Sequence, residues 1–88
     1  MAGVDEQDAV TQLRQWVFER GLRGHDEALQ PGSHLLEEGW LDSLGLISLI
    51  VFLERLRGRP FADGELAAGS LVSIERIRQT FFTEGVAA

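Results

Sequence analysis

The sequence contains no cysteine, so neither a disulfide framework nor a thiolate metal site can hold the fold together. Lysine is missing too: all 8 basic side chains are arginine, and no mechanism follows from that. No apolar run is long enough to cross a bilayer, the longest being Leu49 to Leu53. The N-terminal MAGVDEQDAV has neither the basic stretch nor the apolar run of a secretory signal, which predicts a cytoplasmic chain with no membrane partner. Glycine loops that cradle nucleotide phosphates, G-x-x-x-x-G-K-[ST] or G-x-G-x-x-G, do not occur. Nor is there a basic helix of the kind that reads DNA. With 14 acidic residues against 8 basic ones the net charge is −6, which repels nucleic acid and anionic lipid. Partners are expected to be neutral or basic proteins.

What remains is the composition of a small soluble domain, 44% hydrophobic and 25% charged over 88 residues. One domain spans 1–88, with a core of about residues 5–83 and flexible ends. A chain of this length buries only about 60–65% of the surface its unfolded form exposes, so the margin of stability is modest. Charge is unevenly placed. Nine acids and three arginines in residues 1–42 carry the whole excess, whereas residues 43–88 hold five of each sign and cancel.

Glycine and proline divide the chain into three helical segments. From Asp5 to Arg20, Ala9, Val10, Leu13, Trp16 and Val17 recur at three-and-four spacing, while Asp5, Glu6 and Asp8 suit the positive end of the helix and Gly21 and Gly24 stop it. Ser43 to Arg57 forms a second helix with Leu46, Leu49, Ile50 and Leu53 toward the core, ended by arginines and Gly58-Arg59-Pro60. Ser73 caps a last helix in which Ile74, Ile77 and Phe81 repeat, closing near Gly85. Asp63 to Ala68 forms a single short capped turn ended by Gly69. No run of alternating β-branched and aromatic residues argues for a strand. The class is therefore all-α. The connection from Gly21 to Asp42 is too long for an unstructured loop in a compact domain. Its Leu22, Leu29, Leu35, Leu36, Trp40 and Leu41 predict an ordered crossover lying over the helices.

Two features carry chemistry. Asp42-Ser43 is a polar pair at the mouth of an otherwise apolar helix, and one of the two is an ordinary N-cap. A serine there also offers a primary hydroxyl where backbone N–H groups and the helix dipole stabilise an attached phosphate. The roles are compatible, since Asp42 can cap while Ser43 carries the group. Second, Leu44, Ile47 and Val51 fall on a face of that helix away from its core stripe, with Ser48 as a small polar neighbour. Either the crossover folds over this face, through Leu35, Leu36 and Trp40, or the face is left for a partner. His25 and His34 are incidental rather than metal ligands. Ser43, His34 and Asp42 lack the G-x-S-x-G turn and oxyanion hole that a hydrolytic triad requires, so no catalysis is expected.

Leu41-Asp42-Ser43-Leu44, followed by a helix ending in Phe52-Leu53-Glu54, resembles the phosphopantetheine attachment region of acyl carrier and peptidyl carrier proteins. The amphipathic first helix, long loop, serine-led second helix, short third turn and Gly69-to-Ile74 lead into the last helix fall in that family's order, over residues 5–83. The resemblance implies a four-helix carrier bundle, three main helices and one short one. It implies a monomer that is not an enzyme and holds intermediates as thioesters on 4'-phosphopantetheine. Ser43 would receive that arm from coenzyme A through a Mg²⁺-dependent transferase, with Asp42 orienting the reaction and Leu44 docking against the transferase. The working thiol belongs to the arm, so the missing cysteine is no obstacle. Partners would recognise Leu44, Ile47, Ser48, Val51 and Arg55. These partners would be the transferase, an acyl- or aminoacyl-loading ligase, and downstream condensing, tailoring or transferase enzymes of natural-product biosynthesis. The second helix departs from the fatty-acid pattern, because Glu54 is its only carboxylate and Ser48 and Arg55 stand where acids are frequent. The alternative from the residues alone is an unmodified acidic helical adaptor that binds a partner through residues 44–51.

Overall fold

A computed structural model of the chain describes residues 6–62, 64–66 and 69–82. Its elements are α1 (Glu6–Arg20), α2 (Ser43–Arg57) and α3 (Ile74–Ile77), the last running on into a π-helical turn, Arg78–Phe82. Among the described residues there is no strand. Asp5, the expected flexible ends and the closure near Gly85 lie outside the described residues.

α1 buries Ala9, Leu13 and Val17, one residue per turn, with Val10 and Trp16 half-buried beside them. α2 buries Leu49, Leu53 and Leu56 and sets Phe52 against Trp16 of α1, ring centroids 5.5 Å apart. Leu46 and Ile50, expected in the core stripe, are only half-buried, because the segment opposite them leaves a cleft. Ile74, Ile77 and Phe82 close the core from the C-terminal side. Ser73 caps α3 as expected, its hydroxyl accepting the Arg76 N–H at 3.0 Å. The regular helix then ends after one turn. Thr80 donates its hydroxyl to the Arg76 carbonyl at 2.7 Å, a back-bond that bends helices. The widened turn places Phe81 edge-on to Phe61 and Phe82 in the core. Arg78 ties the N-terminus of α1 to α3 through Glu6 and Glu75.

The crossover is ordered, and hydrogen bonds show how. The Leu22 N–H donates to Trp40 O at 2.8 Å, the Leu35 N–H to Val72 O at 2.9 Å and the Glu75 N–H to Pro31 O at 2.8 Å. Arg14 donates to the Leu29 carbonyl at 3.1 Å. Leu29, Leu35, Trp40 and Leu41 are thereby sunk into the core between the helices, whereas Leu22 and Leu36, expected beside them, stay exposed. Gly21 makes the first turn possible: a Cβ there would meet Val17 O at 2.4 Å and Trp40 O at 2.6 Å, both backbone atoms.

The short fourth helix is not seen in the residues that can be described. Gly64 to Leu66 form a turn and bend, with Asp63, Ala67 and Ala68 outside the described set. Glu65 organises this stretch, accepting the Ala62 N–H at 2.7 Å and pairing with Arg57 at 2.8 Å. The architecture is a small helical bundle with a radius of gyration of 12.4 Å, stitched together by its crossover.

Candidate functional site

The mouth of α2 is built from an anchored approach and an exposed tip. Trp40 and Leu41 are buried, so the chain reaches the helix fixed in position, and Asp42, Ser43 and Leu44 then emerge into solvent. Behind them, Arg23 lies over the Trp40 ring at 4.0 Å from its centroid, and the Trp40 indole N–H donates to Glu38. The Glu38 carboxyl is held below the usual carboxylate range, first by the His34 backbone N–H and then by that indole.

Asp42 is the N-cap. Its backbone is extended, and Oδ1 accepts the Gly45 N–H at 2.7 Å while its carbonyl accepts the Leu46 N–H at 2.9 Å. Gly45 leaves room for this, since a Cβ there would stand 3.3 Å from Asp42 Oδ1 and 3.4 Å from the buried Leu41 side chain. Ser43 is the first residue of α2 and is exposed, with no hydrogen bond from its hydroxyl among the described residues. Capping is thus done by one member of the pair, and the other presents a free primary alcohol. The first turn of α2 itself holds no acidic residue; the carboxylate beside an anion attached at Ser43 would be that of the Asp42 cap.

Leu44, Ile47 and Val51 are 74%, 60% and 50% exposed. The crossover does not fold over them; Leu35 and Trp40 are turned into the core instead, and Leu36 stays in solvent. Ser48 and Arg55 lie on the same exposed side. Leu46 and Ile50, one face round, line a cleft of about 310 Å³ with Leu36, Leu71 and Val72, and His34 and Glu37 border it.

His34, Asp42 and Ser43 do not form a triad. Asp42 is engaged by Gly45, His34 Nδ1 lies 2.9 Å from Glu37, and no hydrogen bond among the described residues joins either to Ser43. His25 stacks on Phe18. Among the described residues no three of His, Asp and Glu gather to hold a metal ion, and no helix is long and apolar enough to cross a membrane.

One polar residue lies where its sequence position did not suggest. Arg57, expected as one of the arginines that end α2, is buried at 9% exposure, over the Phe61 ring at 4.5 Å and paired with Glu65. Its spacing of four from Leu53 was the available signal, because that spacing puts both on one helix face. Compared with known proteins, the chain matches no family model, no curated protein and no solved structure.

Proposed function

We propose that this protein is a carrier that holds acyl or aminoacyl intermediates on a 4'-phosphopantetheine arm attached to Ser43. The observation that carries this reading is the exposed Ser43 hydroxyl at the first position of α2, relieved of capping by Asp42. An arm needs an attachment point that an enzyme can reach, and it needs a rigid base. Ser43 supplies the first, and the buried Trp40-Leu41 anchor supplies the second.

The residues present fit such a group. Its phosphodiester would lie at the N-terminus of α2, where the helix dipole and the first N–H groups favour negative charge. When bound, the arm supplies a thiol that holds an acyl group as a thioester. The Ser43 oxygen would bond to the phosphorus that bears pantetheine as the P–O bond of the coenzyme A pyrophosphate breaks, adenosine 3',5'-bisphosphate would leave, and the hydroxyl proton would pass to the transferase. Asp42 fixes the backbone from which Ser43 projects. Leu44, Ile47, Ser48 and Val51, with Arg55 beyond them, form the face that the transferase, loading ligase and downstream enzymes would meet. The protein itself then performs no bond-making chemistry; tethering raises the effective concentration of an intermediate at each partner.

The test is direct. Unmodified protein is incubated with coenzyme A, Mg²⁺ and a promiscuous phosphopantetheinyl transferase, then weighed intact. Wild type should gain one phosphopantetheine and Ser43→Ala none. An unchanged wild-type mass, under conditions that modify a control carrier, favours the unmodified adaptor that uses the same apolar face.

A further inference from the structure

The outer face of α2 changes character along its length. Leu44, Ile47, Ser48, Val51 and Arg55 fall within about 100° of the helix circumference, opposite the buried Leu49 and Leu53. Its first two turns expose only apolar and hydroxyl groups. Beyond them, Val51, Glu54, Arg55, Gly58, Arg59 and Pro60 border one shallow depression. The Glu54 carboxylate is half-buried and accepts the Phe61 N–H at 2.9 Å. The Arg55 and Arg59 side chains are exposed and make no ion pair or hydrogen bond among the described residues, while the Arg59 backbone N–H donates to Glu54 O at 3.2 Å. The field of Arg59 reaches Glu65, but that carboxylate is already bonded by Ala62 and Arg57.

A chain of net charge −6 therefore presents, on its only helix face with three large exposed apolar residues among the described residues, a positive end. We infer that this face docks a protein whose surface carries an apolar patch for Leu44, Ile47 and Val51, bordered by carboxylates that meet Arg55 and Arg59. Screening confines charge effects to about 8 Å at physiological salt, so the arginines on the face, rather than the total charge, set the sign a docked partner meets. This reverses the neutral or basic partner that net charge suggests. Carboxylates at that end also fix orientation, since Leu44 and Arg55 stand about 16 Å apart along the axis at the helical rise. A lipid surface is a poorer occupant: interfacial helices carry basic residues along the whole polar border, whereas the exposed pair here, Arg55 in α2 and Arg59 just past it, stands at one end.

The inference holds whether or not Ser43 is modified, so its test uses unmodified protein and leaves the mass assay independent. ¹⁵N-labelled protein is titrated with two amphipathic helical peptides of about 15 residues. Both have a leucine stripe, one flanked by glutamates and the other by arginines. The glutamate peptide should shift the amides of residues 44–59, bind more weakly as salt rises, and lose about twofold to thirtyfold in affinity against Arg55→Glu/Arg59→Glu, the span of two exposed ion pairs. That variant should bind the arginine peptide better. Equal or stronger binding of the arginine peptide to wild-type α2, or shifts from neither peptide, would overturn the inference. Sedimentation of wild type, but not of the double variant, with vesicles of equal phosphatidylglycerol and phosphatidylcholine would overturn it in favour of lipid.

Discussion

Asp42 and Ser43 are adjacent, polar and exposed, yet the geometry separates their work. The Asp42 carboxylate is committed to the Gly45 N–H, so its first effect is on helix stability. Asp42→Ala should lower stability by about 1 kcal/mol, the usual loss of a capping side chain. Asp42→Asn keeps an oxygen that can accept from Gly45 and should recover most of that, as read from urea midpoints. The two variants also separate capping from any part of the charge in modification. If capping is the whole contribution, Asn restores the rate of phosphopantetheine transfer along with stability. If the carboxylate orients the reaction, Asn restores stability and leaves the rate low. Ser43→Ala should leave the midpoint nearly unchanged, because the hydroxyl makes no hydrogen bond among the described residues.

At the scale of elements, α2 holds two opposite faces that a single pair of substitutions tells apart. Leu49 is fully buried, and Leu49→Ala should cost about 2–5 kcal/mol through the cavity it leaves. Val51, two residues on, is half exposed, and Val51→Glu should leave helicity and midpoint close to wild type while impairing docking. Far-ultraviolet dichroism and denaturation measure the first; transfer to a partner enzyme measures the second. A large stability loss in Val51→Glu would place that side chain in the core and remove it from the docking face. The bounds of α2, its exposed face and the Leu49-Leu53 part of its core stripe were legible in the sequence because helical periodicity and the Asp42, Gly58 and Pro60 signals are local. So was the anchoring of the crossover, since four of its large apolar side chains are buried. What was not legible depends on contacts between distant segments. The burial of Arg57 needs Phe61, Phe81 and Glu65 brought round it, and the widening of the last helix follows from a Thr80 back-bond that periodicity does not register. The cleft beside Leu46 and Ile50 exists only because residues 69–72 stand off from α2.

For the molecule as a whole, four carboxylates stand out because folding lowers their pKa. Asp26, Glu38, Glu65 and Glu75 are all held below their ordinary values, 3.8 for Asp and 4.5 for Glu. The cause is chiefly a backbone N–H at the first three, from Ala28, His34 and Ala62 respectively, and the Arg78 guanidinium at Glu75. A group whose pKa is depressed by folding binds its proton more readily in the unfolded chain. Its contribution is therefore complete above the ordinary value and is lost as pH falls through the lower, folded one. Against this stands the general repulsion of a net charge of −6, which weakens as negative charge is removed. Between about pH 7 and pH 5 little of the bonded set titrates, so stability should hold level or rise slightly. As pH falls below the ordinary carboxylate values and through the lower folded ones, the four bonded carboxylates take up protons, the 8 arginines stay charged, and the contacts that pin Arg23, Arg57 and Arg78 are lost. Urea midpoints measured across this range should show a plateau followed by a fall. A continued rise in stability down to about pH 3 would mean that general repulsion outweighs these contacts, and that apolar packing and backbone hydrogen bonds suffice to hold the crossover and the Glu65 turn.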